Sequence, residues 1–169
     1  MENQNDLKIV GATIEDAPVI TSIYNEHIEI GISSMEVGMK PIEEIEGWFK
    51  NFHSRELIIL LKKSGNTIGW GIIKRYSDRR GYDRTCETAV YLTESETGKG
   101  YGPIIKKALI QKCKDLNYHH LVAKIFADNE GSINYNLKMG YKIVGTQKEV
   151  GFKNNKYLDI TIMQLLLQD

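Results

Sequence analysis

Between a strand-like run ending near Leu92 and a helix-like run reaching Leu116, the chain reads Gly98-Lys99-Gly100-Tyr101-Gly102-Pro103. Three glycines at alternate positions let the backbone turn sharply and approach a ligand closely. The helix that follows presents unpaired N–H groups with positive dipole character. Strand, glycine loop and helix together make an anion cradle that suits a pyrophosphate, because several N–H donors can converge on its oxygens without side chains. On spacing alone, a tight turn without a ligand is the other reading. A Walker loop needs a Lys and Ser/Thr pair that is absent here. A dinucleotide fold places G-x-G-x-x-G in a first βαβ unit, whereas this cluster is mid-chain and reads G-x-G-x-G.

Around the loop, strand-like and helix-like segments alternate. Leu7 to Gly11 reads as a strand, Ile14 to Ile30 as a helix, and Pro41 to Phe49 as a second helix with early acids suited to its dipole. Leu57 to Lys62 and Thr67 to Lys74 form a hairpin through Ser64-Gly65-Asn66, and Glu87 to Thr93 is a further strand. The helix from Pro103 to Leu116 carries an apolar face of Ile105, Ala108, Leu109, Cys113 and Leu116. His119 to Ala127 is a strand, Gly131 to Met139 a short helix closed by Gly140, and Tyr141 to Val150 and Tyr157 to Leu166 are the last strands. The order βααβββαβαββ predicts one compact α/β (α+β) domain over residues 1–169, with no linker or repeat to divide it.

Lys and Arg number 22 and so do Asp and Glu, which removes the basic footprint of a nucleic-acid or anionic-membrane binder. The polar start MENQNDLKIV and the lack of a long apolar run predict a cytoplasmic protein. Cys86 and Cys113 have no metal-ligand spacing, so two reduced thiols and no metal are expected. None of the four histidines has a nucleophile beside it in sequence, and packing or surface roles are expected for them.

With the glycine loop, the strand before it, and Ala127-Asp128-Asn129-Glu130-Gly131-Ser132-Ile133 through Gly140-Tyr141, the chain resembles the GNAT superfamily of acetyltransferases. More narrowly it resembles the phosphinothricin acetyltransferase-like family, through Ile23-Tyr24-Asn25-Glu26, Trp48-Phe49, Tyr82-Asp83, Thr85, Glu87, Val90-Tyr91, Gly151-Phe152-Lys153 and Asp159 in family order. The resemblance implies a mixed, mostly antiparallel sheet that splays after the strand ending near Leu92, with acetyl-CoA as cofactor. Its pantetheine arm would pair with the backbone of Val90, Tyr91 and Leu92. Its pyrophosphate would sit on the amides of Gly98, Lys99, Gly100, Tyr101, Gly102 and Pro103, with Asn129 and Ser132 at the arm. Asn129 also reads as a helix N-cap.

Acetyl transfer to an amine needs a deprotonated nitrogen, a stabilised oxyanion and protonation of the departing thiolate. Glu87, an acid on a largely apolar strand and on the face opposite Cys86, is the expected base, with an ion pair to a nearby Lys or Arg as its alternative. A backbone N–H near Val90 or Tyr91 is expected at the oxyanion. Relatives often carry Tyr or His at the position aligned with Asn136, so the neighbouring Tyr135 is the candidate acid, although it points about 100° away on a helix; core packing is its other role, and solvent the other source of the proton. Arg79 and Tyr82 align with positions that hold the acidic group of an amino-acid-like substrate, and Met35 stands where relatives carry an aromatic. Arg79 could equally belong to a solvated basic loop. Direct transfer to a small primary amine is the expected reaction. Protein acetylation and a non-catalytic acetyl-CoA sensor are the other classes, and a homodimer formed through the late strands is implied by the resemblance.

Overall fold

The computed structural model describes residues 6–31 and 33–168. Among them are strands β1 (Leu7–Gly11), β2 (Leu57–Lys63), β3 (Asn66–Arg75), β4 (Thr85–Leu92), β5 (His120–Phe126), β6 (Lys142–Lys153) and β7 (Lys156–Leu166). The helices are α1 (Ala17–Ile30), α2 (Ile42–Asn51), α3 (Tyr101–Asp115) and α4 (Glu130–Lys138). The chain order βααβββαβαββ is the one the sequence predicts. The strands form one sheet in the order β1-β2-β3-β4-β5-β7-β6. Every neighbouring pair is antiparallel except β4 with β5.

Local chemistry explains the boundaries. The β2–β3 turn is the pair Ser64-Gly65, both at positive φ (50° and 84°), which matches the twist of the flanking strands and releases Asn66 into β3. Asn154-Asn155 do the same between β6 and β7. The first predicted helix is divided: a 3-10 turn, Ile14–Asp16, precedes α1, with the Thr13 N–H donating to Asp16 Oδ2 at 2.9 Å. Helix α3 starts at Tyr101, not Pro103, and Pro103 lies in the first turn, where its missing N–H would have had no helical partner.

Two cores cover the two faces of the sheet. Ile105, Leu109 and Cys113 of α3 pack with Cys86, Leu121 and Met163 on one face, and Ile20, Ile23 and Tyr24 of α1 pack with Leu60, Trp70 and Ile72 on the other. Gly71 sets how closely α3 lies on β3. A Cβ there would stand 2.6 Å from Ile105 Cγ2 and 2.8 Å from Leu109 Cδ1. That contact holds the start of α3, and the glycine loop before it, at the edge of β4.

The sheet is closed on one half of β4 and open on the other. Strand β5 pairs with β4 only over Thr85–Glu87 against His120–Val122, while from His120 to Phe126 it stays with β7. β4 keeps its ladder with β3 through Leu92. The two strands therefore diverge beyond Glu87 and Val122, which is the splay the resemblance implies.

Candidate active site

The divergence leaves a strand edge unpaired in the middle of the sheet. The Tyr76 N–H donates to the Thr85 carbonyl and the Thr93 N–H to the Ile68 carbonyl. Antiparallel pairing alternates, so the peptide groups of Glu87, Ala89 and Tyr91 also face β3, and those of Thr88, Val90 and Leu92 face the opening. Such an edge is a template for a strand-like ligand. Of the three residues expected to pair with a pantetheine arm, Val90 offers its peptide group and Leu92 its N–H, the Leu92 carbonyl being taken by His27. Tyr91 has spent its own peptide group on Trp70 and offers its ring, while Thr88 is a position that sequence reasoning missed. His27 was missed too: its Nε2 donates to the Leu92 carbonyl at 2.7 Å and its Nδ1 is bonded to the Ser33 hydroxyl.

A cleft of about 400 Å³ runs along this edge from the glycine loop. Gly98, Gly100, Gly102 and Pro103 line it, as do Val90, Tyr91, Leu92, Asn129, Ser132 and Tyr135. Gly98 and Gly100 are left-handed (φ 78° and 84°), a conformation that turns the chain into α3 and that side chains with a Cβ resist. Lys99 and Tyr101 take part only through the loop backbone: Lys99 Nζ turns away to Glu96 at 3.3 Å, and the Tyr101 side chain is buried in the core. Asn129 caps α4, its Oδ1 accepting from the Ser132 N–H at 3.1 Å, and faces the cleft as well. An extended arm ending in phosphates fits what is present: unpaired strand amides along the edge and unpaired helix amides at the loop.

Asn136 and Tyr135 both reach the cleft, so their separation around α4 does not keep Tyr135 out. The Tyr135 ring lies over Gly102, 3.6 Å from where a Cβ would stand, and burial pushes its phenol above the ordinary value. Asn136 Nδ2 donates to the Ser132 carbonyl, and its buried Oδ1 has no hydrogen-bond partner among the described residues. Lys106, also missed, is buried at the cleft wall. Its signal was in the sequence: it falls on the apolar stripe of α3, three residues before Leu109 and seven before Cys113.

A second cavity, of about 600 Å³, opens between the segment after α1, β4 and β6. Glu87, Met35, Gln147, Val150, Gly151 and Phe152 line it. Met35 lies directly on Gly151, where a Cβ would fall 2.1 Å from its Cε. Six residues border both cavities, namely Ser33, Thr88, Ala89, Tyr91, Lys124 and Phe126. Glu87 stands at this junction, its Oε2 2.8 Å from Lys124 Nζ, which is the ion pair held open as its alternative role. Both side chains are partly exposed, 32% and 47%. An ion pair in that setting contributes only about 0–1 kcal/mol and exchanges partners cheaply.

Arg79 and Tyr82 are not brought to either cavity. Both are exposed, at and within the 3-10 turn Arg80–Tyr82 between β3 and β4, and Tyr82 stacks on Tyr76 with ring centres 5.4 Å apart. Cys86 is also outside both. It is fully buried with its Sγ 3.6 Å from that of Cys113, and this contact together with burial pushes its thiol up. Among the described residues no group of His, Cys, Asp and Glu could hold a metal, and no helix is long and apolar enough to cross a membrane.

Comparison with known proteins agrees with this geometry. The chain is 29% identical over 161 residues to L-methionine sulfoximine/L-methionine sulfone acetyltransferase of Pseudomonas paraeruginosa, covering 92% of each chain. A crystal structure of an N-acetyltransferase from Staphylococcus aureus Mu50 superposes with a TM-score of 0.92 at 30% identity, covering 96% of this chain and 99% of that one. A GNAT superfamily phosphinothricin acetyltransferase from Sinorhizobium meliloti, solved with acetyl-CoA, superposes with a TM-score of 0.90 at 25% identity over 96% of this chain and 89% of that one. Residues 9–162 match the acetyltransferase (GNAT) domain family, and the chain is a member of the GNAT family of acetyl-CoA-dependent N-acetyltransferases.

Proposed function

We propose that the protein acetylates the primary amine of a small amino-acid-like substrate, of the methionine sulfone, methionine sulfoximine or phosphinothricin type, by direct transfer with Glu87 as general base. The observation that carries this reading is the Glu87–Lys124 pair at the junction of the two cavities. An amino acid carries the complementary pair of charges. Its ammonium can replace Lys124 at Glu87 while its carboxylate takes Lys124, and the exchange costs little because the pair is half-exposed. The names of the relatives point to the same substrate class.

Acetyl-CoA, when bound, supplies an activated thioester carbonyl. Glu87 accepts the proton that makes the amine nucleophilic, and the Val90 N–H, facing the opening, is available to the carbonyl oxygen. Tyr91, its phenol held well above its ordinary value by burial, stays neutral between the cavities. Tyr135 and Lys106 are proton-bearing side chains on the sulfur's side of the cleft. Met35 and Phe152 wall the acceptor cavity and favour a small molecule over a protein chain. Arg79 and Tyr82 would join the substrate only if their loop moved inward, and Lys124 takes the anion-binding role proposed for them.

We further propose a homodimer through the β6–β7 hairpin, where Phe152 and Tyr157 are 57% and 62% exposed with ring centres 5.0 Å apart. The two unbridged thiols of Cys86 and Cys113 suit a reducing cytoplasm. Release of CoA thiol with a panel of L-phosphinothricin, methionine sulfone, methionine sulfoximine, polyamines and peptide N-termini tests the substrate. Turnover confined to the amino-acid analogues is expected, and turnover with peptides alone would overturn the reading.

A further inference from the structure

Lys106 is 2% exposed. Its Nζ donates to Thr88 Oγ1 at 2.8 Å and stands 4.7 Å from the centre of the Tyr141 ring, whose hydroxyl is 3.3 Å from the same Thr88 oxygen. Among the described residues no carboxylate pairs with it. An ammonium buried against one hydroxyl and one ring carries a desolvation cost of several kcal/mol. It also has three N–H donors, more than Thr88 and the ring face can use. Lys106 is also one of the residues lining the cleft, beside Thr88, where β4 begins to part from β5 and the two cavities meet.

We propose that Lys106 is a catalytic acid of the acetyl transfer, giving a proton to the coenzyme A sulfur as it departs. The C–N bond forms as the C–S bond breaks, the electron pair of the C–S bond stays on sulfur, and an Nζ–H proton moves to it. Neutral Lys106 then regains a proton from solvent through the open cleft, and the proton lost by the amine leaves through Glu87. The inference rests on acetyl-CoA-dependent acetylation and needs no particular amine.

Energetics agree with the geometry. Burial pushes the Lys106 ammonium down to about 8, below the ~8.5 of a cysteine thiol, so it can give its proton to a thiolate. The Tyr135 phenol moves the other way and becomes the poorer acid. The groups around Lys106 are Thr88 and Cys86 from β4, Cys113 from its own helix and Tyr141 ahead of β6, and the titratable groups Tyr135, Lys124 and His27 line the same cleft. The Cys86 thiol and the Tyr141 phenol are both held above their ordinary values, the first by Cys113 and the second by burial, so neither titrates near pH 8.

Ultraviolet titration of the thiol of bound CoA tests the proposal without any amine. In the wild-type complex the thiol is expected to titrate together with Lys106, with which it exchanges a proton, and not at its value in water. In Lys106→Met that coupling is lost, kcat falls by about 100-fold together with the alkaline limb near pH 8, and the acetyl-CoA Kd stays within about threefold. A wild-type complex whose CoA thiol titrates as it does in water would overturn the proposal, even if the Met variant failed to fold. So would a folded Lys106→Met with wild-type kcat and alkaline limb.

Discussion

The donor cleft is made mostly of backbone, whereas the acceptor cavity is made of side chains gathered from distant parts of the chain. The cleft needs the edge of Thr88, Val90 and Leu92, two left-handed glycines and the first turn of α3, all within 88–103, with further contributions from His27 and Ser33, Lys106, β5 and α4. The cavity needs Met35 after α1, Glu87 on β4, Lys124 on β5 and Gln147 to Phe152 on β6. The donor is held by geometry that many sequences could supply, and the acceptor by identities that few would share. Changes on the two sides should therefore affect different kinetic constants.

The largest effect is expected at the junction. Glu87→Gln keeps the side chain's shape and removes its basicity, so kcat should fall by 10²–10³ while the acetyl-CoA Kd holds; an unchanged kcat would end the general-base reading. Lys106→Met should also change stability, with a sign opposite to that of most core substitutions. The folded-state value of Lys106 lies near 8, below its ordinary 10.5, so between those limits the unfolded chain binds more protons and wild-type stability rises with pH. The cost of the buried charge is present in full below about pH 8. The Met variant should melt about 5 °C higher at pH 7, and calorimetry should show the gain shrinking as pH rises through 8 towards 10.

On the donor side alone, Gly100→Val forces a β-branched residue into φ 84°, and the acetyl-CoA KM should rise by about tenfold with the amine KM unchanged. The smallest effects separate two residues assigned to substrate from sequence. Met35→Ala should raise the amine KM a few-fold by opening the contact with Gly151, and Arg79→Ala should change it by less than twofold. A large effect at Arg79 would show that its loop closes over the substrate.

The same contrast governs how much could be read from the sequence. The element order, the glycine loop and the Asn129 cap depend on residues close in the chain, and each was legible. The opening between β4 and β5 was reached through resemblance, since no local pattern states where a parallel pairing stops. Tyr91 was assigned a backbone role because alternation along β4 fixes which residues share a face but not which face meets β3. His27 was expected to be bland because its partner, the Leu92 carbonyl, lies 65 residues away. Arg79 suited anion binding by chemistry, and only the path of the β3–β4 connection shows it outside the cavity. The Cys86–Cys113 contact joins a strand to a helix and had no sequence signal.

Donor and acceptor are proposed to meet at the open edge of β4, where Thr88 and Lys124 border both cavities and Lys124 pairs with Glu87 of the second. A bisubstrate analogue joining the CoA sulfur through one acetyl unit to the nitrogen of methionine sulfone tests it by calorimetric binding. A Kd at least about 100-fold below that of CoA is expected. An analogue that binds no more tightly than CoA would contradict it.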